Sequence, residues 1–91
     1  MQVVYKYKLS IGIVNTIVLH PDAQVLCVKA QRDDICMWVL QDTNKMYPAG
    51  SYHRSFIVVG TGNPFEVRIK EYHGTIMSQD HVFVYHVFEV M

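Results

Sequence analysis

The chain has 91 residues, a hydrophobic share of 51% and a formal net charge of zero from eight basic and eight acidic side chains. That length makes a single domain, 1–91, with one modest core. The charge balance excludes the basic excess that a general nucleic-acid binder needs to displace counterions, and no apolar run approaches the roughly 20 residues of a membrane-spanning helix.

Met1 to Lys8 alternates from the outset and lacks the apolar block of a signal peptide, so a cytoplasmic location is expected. Val3, Tyr5, Tyr7 and Leu9 alternate with Lys6 and Lys8, which predicts a half-buried first strand. Ser10-Ile11-Gly12 breaks it, and Ile13 to Leu19 reads as a short second strand. His20-Pro21-Asp22 is a turn, because proline fixes its own φ and pushes His20 toward an extended conformation. Gln24 to Ala30 and Ile35 to Leu40 form a hairpin around Gln31-Arg32-Asp33-Asp34. Cys27 and Cys36, the two cysteines, lie on its arms and read as free buried thiols, which suits a reducing compartment.

Asp42 to Ser51 contains Asn44, Pro48 and Gly50 without alternation and is the one long loop. Tyr52 to Val59 resumes as a strand that Gly60-Thr61-Gly62-Asn63-Pro64 ends. Glu66 to Lys70 and Tyr72 to Met77 read as two further short strands, the second with Gly74 as a bulge. Ser78-Gln79-Asp80 turns the chain into a final strand reaching Val90. Its alternate faces are Val82, Val84, His86, Phe88, Val90 and His81, Phe83, Tyr85, Val87, Glu89, both substantially apolar, so it needs cover on two sides. The fold class is all-β: a small single-domain β-sandwich or partly open barrel of about seven or eight short strands.

Catalytic chemistry is weakly represented. The cysteines sit in apolar contexts that raise a thiol pKa, Ser51, Ser55 and Ser78 have no flanking motif, and Asp33 and Asp34 occupy a turn where acids serve conformation. His20, His53, His73, His81 and His86 are scattered, with no paired ligand spacing, so no metal or cofactor is expected. A binding site is better represented. Gly60, Gly62 and Asn63 lie in a loop whose backbone N–H groups can form an anion nest. Arg54 precedes that loop, and Arg68, Lys70, Tyr72 and His73 follow it. Guanidinium groups hold phosphate bidentately and rings stack on bases, so Arg54 and Arg68 are candidate phosphate ligands and Trp38, Tyr72 and His73 candidate stacking partners. Phe83, Tyr85 and Val87 make both faces of the last strand greasy and are the expected homo-oligomer interface.

Several stretches resemble a family of small bacteriophage proteins that form a domain of unknown function. They are Tyr5-Lys6-Tyr7, Pro21 with Ala23 before Val25-Leu26-Cys27-Val28, Cys36-Met37-Trp38 followed by Asp42, Phe56 to Pro64, Tyr72-His73-Gly74-Thr75 and Phe83 to Glu89. The chain departs from that pattern in Thr43 to His53. The resemblance implies phage origin and action in the host cytoplasm during infection, and it brings no catalytic residues. Unrelated small oligomeric phage proteins sequester cyclic nucleotide or ADP-ribose signals of bacterial immunity, an analogy of role and size. The expected function is therefore a non-enzymatic accessory protein that captures a small phosphorylated nucleotide. The alternative is a module that binds a host or phage protein through the C-terminal strand face.

Overall fold

The computed structural model describes residues 1–44 and 52–91. They form seven strands: β1 (Gln2–Leu9), β2 (Val14–Ile17), β3 (Gln24–Gln31), β4 (Asp34–Asp42), β5 (Arg54–Gly60), β6 (Ile69–Met77) and β7 (Val84–Val90). All pairings between these strands are antiparallel, in a three-stranded sheet of order β1-β4-β3 and a four-stranded sheet of order β2-β5-β7-β6. The two sheets pack as a sandwich and do not close into a barrel. Among the described residues there is no helix, and none long and apolar enough to cross a membrane. The long loop expected from Asp42 to Ser51 falls, over 45–51, outside the described residues, and its first residue, Asp42, ends β4.

The last strand is covered on both faces, as its composition requires. Inward it sends Tyr85, Val87 and Glu89. Val87 joins Leu9, Leu19, Ala23, Ile35, Met37, Val39, Phe56, Val58 and Ile76 in the core between the sheets. Outward it sends Phe88 and Val90, which join Ile57 and Val59 beneath Phe65 and Val67. The Phe65 and Phe88 rings stack with centroids 5.6 Å apart. Fully burying a side chain such as Val87 or Phe56 contributes roughly 1.5–3 kcal/mol, so the second cover is an energetic contribution as well as a shield.

The packing of the two sheets corrects several expectations. Residues 63–68 form no strand; they cross the outer face of the four-stranded sheet, and the alternation around Val67 reflects one side chain plugged into it. The expected pair of strands, Glu66–Lys70 and Tyr72–Met77, is instead the single strand β6, bulged between Ile69 and Glu71 and between Tyr72 and Gly74. Val87, expected at an oligomer surface, is wholly buried between the sheets and presents nothing to a partner. The last strand also starts late. Residues 78–83 make a turn closed by Ser78 N to Phe83 O at 2.8 Å and His81 N to Ser78 O at 2.9 Å. Cys27 and Cys36 are free thiols, half-buried and buried, and are offset in register, Cys27 opposite Trp38 and Cys36 opposite Lys29.

The two sheets meet where β3 faces β6. Gly74 has φ +152° there, and a Cβ on it would lie 2.7 Å from Val28 Cγ2. Gly74→Ala is therefore expected to cost about 1–3 kcal/mol of unfolding free energy in urea titrations. Part of that loss should return when Val28→Ala removes the opposing methyl. An equal loss in both backgrounds would place the cost in the backbone alone.

Candidate functional site

Glu89 is the one acidic side chain on the inward face of β7, and it is 1% exposed. An ionised carboxylate in that position must be paired to be tolerated. Arg54, at the start of β5, supplies two parallel hydrogen bonds, Nε to Oε2 and Nη2 to Oε1, both 2.8 Å. The same guanidinium donates through Nη1 to the carbonyl oxygens of Ala23 at 2.6 Å and His20 at 3.3 Å. His73 Nε2, on β6, lies 3.0 Å from Glu89 Oε1. A carboxylate only accepts, so that ring nitrogen donates. Burial by itself would push the Glu89 carboxyl up, but the hydrogen bonds from Arg54 and then His73 outweigh it and hold its pKa at about 2.

Glu71, His73 and Glu89 bring their ligand atoms within 4.8 Å of one another, which is the composition of a divalent-metal set. The local charges already balance without an ion, however. Arg54 and Lys70, the latter 3.9 Å from Glu89, stand against Glu89 and Glu71. Both Glu89 oxygens are engaged by Arg54. The cluster is an ion-pair network that clamps β5, β6, β7 and the β2–β3 connection at one end of the sandwich.

The residues nominated from sequence as one nucleotide site do not meet. Arg54 and His73 are inside the clamp. Trp38 lies on the outer face of the three-stranded sheet, opposite Cys27 and Lys6. Tyr72 faces the other way, on the outer face of the four-stranded sheet against Phe88, with ring centroids 5.6 Å apart. Its hydroxyl begins a row, Tyr72–Thr75–His86–Thr61, in which both His86 nitrogens are hydrogen-bonded to threonine hydroxyls at 3.0 and 2.7 Å. Gly60 is at the far end of β5, about 20 Å from Arg54 at the rise of a strand. The Gly60–Asn63 loop is closed on itself, with Asn63 N bonded to Gly60 O at 3.0 Å and the Asn63 amide seated over Gly60. Arg68 is exposed, and its carbonyl accepts from Met91 N.

The opposite end of the sandwich is open. Between the β3–β4 and β6–β7 turns lies a cleft of about 480 Å³. Ile11, Ala30 and Ile35 form its apolar floor, Arg32, Asp33, Ser78, Gln79 and Asp80 its polar rim, and Phe83 and Tyr85 one wall. The two rings stack with centroids 6.3 Å apart, and Phe83 is 56% exposed. A second cleft of about 520 Å³ shares Ala30, Ser78 and Gln79 and continues along the β3–β6 seam past Val28, Lys29, Met77 and His81. Together they form an elongated groove, each half within the range of small-ligand sites.

Backbone strain marks the same place. Among the described residues only Arg32 (φ 56°) and His81 (φ 62°) adopt positive φ without being glycine. Each costs about 1–2 kcal/mol, and they sit on the two turns that border the groove. Such strain persists where a surrounding structure over-determines it, commonly at binding sites. The β6–β7 turn is held by Phe83 N to Ser78 Oγ at 3.0 Å and Val82 N to Asp80 Oδ1 at 3.1 Å. Asp80 is held below the usual carboxylate range by the Ser78 hydroxyl and then the Val82 amide. Sequence reasoning identified Phe83 and Tyr85 but missed Arg32, Asp33 and Gln79 as their neighbours, and it missed Glu89. The signal for Glu89 was its inward parity with Tyr85 and Val87, matched by Arg54 in step with Phe56 and Val58.

The family model of a domain of unknown function, DUF7352, matches residues 1–91. No curated protein and no solved structure matches the chain.

The clamp sets an acid limit on the fold. The Glu89 pKa of about 2 lies below its ordinary value of 4.5, so its stabilisation is complete above pH 4.5 and is lost as pH falls toward 2. The linkage amounts to about 3 kcal/mol. Urea titrations of the wild type should show that loss across this window. Glu89→Gln should be less stable at neutral pH by about 3–5 kcal/mol, since it leaves Arg54 buried and unpaired, and should lose less on acidification. Parallel acid limbs for the two proteins would refute the role of Glu89.

Proposed function

Because the chain belongs over residues 1–91 to the DUF7352 family, a domain of unknown function, we propose its role from its own geometry: a non-enzymatic module that binds a peptide segment of a partner protein in the groove between the β3–β4 and β6–β7 turns. The observation that carries this reading is the exposed Phe83 ring stacked on Tyr85 at the mouth of an elongated, apolar-floored groove. Exposed aromatics beside a concave apolar surface are the usual anchors of protein recognition. The length of the groove suits a run of residues better than a compact ligand. Its charges favour a neutral or basic segment, because Arg32 is offset by Asp33 and Asp80 in the first cleft.

A second reading is capture of a small nucleotide signal. It is favoured by the same stacked rings with Arg32 on the rim, which could sandwich a base and pair one phosphate. The two acids on that rim weigh against a multiply charged anion. Phage origin, action in the host cytoplasm and an anti-defence role rest on the sequence resemblance alone, and in that setting the bound segment belongs to a host or phage protein.

Panning a random-peptide library on the purified chain tests the proposal. Selected peptides should share an aromatic or large aliphatic anchor and no acidic run. Phe83→Ala should weaken their binding by about tenfold or more in calorimetry, with its thermal melt unchanged because the ring is exposed. A panel of cyclic oligonucleotides and cyclic ADP-ribose isomers is run beside it. Binding there, lost in Arg32→Ala, together with an empty peptide selection would replace the first reading with the second.

A further inference from the structure

A sheet edge presents unpaired N–H and C=O groups that recruit another strand unless they are blunted. Four strands of this sandwich lie at edges, and three are protected. β2 has only four residues. β3 is bulged between Val25 and Cys27, and β6 is bulged twice. Those last two also shield each other where Gly74 meets Val28.

β1 has none of these devices. It runs eight residues and pairs with β4 in one unbroken register, from Gln2 opposite Asp42 to Leu9 opposite Ile35. Among the described residues, no group hydrogen-bonds its outer edge between Gln2 and Lys8. The lysines that would ordinarily guard such an edge lean the other way. Lys6 Nζ reaches across β4 to Gln31 Oε1 at 2.9 Å, and Lys8 Nζ lies 3.2 Å from Asp34 Oδ1. Val4 and Tyr5 are left 50% and 42% exposed.

We propose that the free edge of β1 pairs antiparallel with β1 of a second copy about a two-fold axis through Tyr5, joining two three-stranded sheets into one continuous sheet. Charge selects this register. Centred on Tyr5, Val4 faces Lys6 of the partner subunit, Gln2 faces Lys8 of the partner subunit, and the two Tyr5 rings meet. Centred on Lys6, the two Lys6 side chains emerge directly opposite each other, and centred on Tyr7, Lys6 emerges opposite Lys8 of the partner subunit. Even with the lysines turned back toward Gln31 and Asp34, these registers bring like charges closer than the Tyr5 register does, which is destabilising. Centred on Val4, the paired stretch shrinks to Gln2 through Lys6. The Tyr5 register alone keeps Gln2 through Lys8 paired without opposing lysines. None of these residues lines the groove, so the dimer leaves the proposed binding site open in both copies.

Sedimentation velocity of the full chain tests this directly. The wild type should sediment at twice the chain mass of 10.6 kDa. Tyr5→Lys, which sets two ammonium groups against each other on the axis, should sediment as a monomer with an unchanged circular dichroism spectrum. Tyr5→Cys should cross-link to a covalent dimer under mild oxidation, whereas Val3→Cys and the wild type, with its own Cys27 and Cys36, should not. A wild type that is monomeric at every concentration overturns the proposal, as does a Tyr5→Lys protein that remains dimeric. Should Tyr5→Lys fail to fold, the cross-link decides: its absence overturns the register, and its presence upholds it. A dimer dissociated by Phe83→Asp and insensitive to Tyr5→Lys would move the contact to the groove and overturn the proposal as well.

Discussion

One buried carboxylate organises this sandwich. Glu89 sits among apolar side chains on the inward face of the central strand β7, where an unpaired charge costs several kcal/mol. The fold meets that cost with two hydrogen bonds from Arg54 and one from His73. Each partner comes from a different strand, and Arg54 also holds the carbonyls of His20 and Ala23. The register of β5 and β6 against β7 is thereby tied to one polar point. A slip of one residue would turn Glu89 to the outer face and expose the hydrophobic set that now faces inward.

Closing one end with charge leaves the other end free for a different task. At the clamp end Glu89, Arg54 and His73 are paired with each other and buried, with Lys70 and Glu71 reaching solvent around them. At the far end the β3–β4 and β6–β7 turns stand apart, and the apolar floor of Ile11, Ala30 and Ile35 remains open between them. The two strained turn residues, Arg32 and His81, are found only there among the described residues. The β6–β7 turn satisfies its own backbone through Ser78 and Asp80, so it can hold Phe83 outward without help from a ligand. A preorganised ring at the rim is what a binding surface needs to limit the entropy lost on association.

The sheets differ in how they treat their outer faces. The four-stranded sheet is covered by Phe65 and Val67 and by the hydrogen-bonded row from Tyr72 to Thr61, so both of its sides are committed. The three-stranded sheet keeps a single layer, with Trp38, Leu26, Val4 and the lysine stems on its outer side. Lys6 and Lys8 serve that surface by bridging to Gln31 and Asp34. The same reach withdraws them from the edge of β1. Covering a face and guarding an edge are competing uses of one side chain.

Local pattern determined much of this protein. The alternation in Val3 to Leu9, the Gln31–Asp34 turn, the glycine stop after Val59 and the two greasy faces of the last strand are properties of neighbouring residues, and each appears in the structure. Alternation reports that a segment is extended and amphipathic; it does not say what lies against it. That is why Glu66 to Lys70 read as a separate strand although 66–68 belong to the cover, and why Val87 read as interface although it is core. The residues nominated for a nucleotide site lie apart for a related reason: Arg54, Gly60 and Tyr72 are near in sequence, but a strand carries its ends about 20 Å apart and sends alternate side chains to opposite faces. Tertiary structure alone decided that Arg54 meets Glu89 and that Arg32 and Phe83 border one groove. Both are contacts between distant segments, fixed by how the sheets pair and stack.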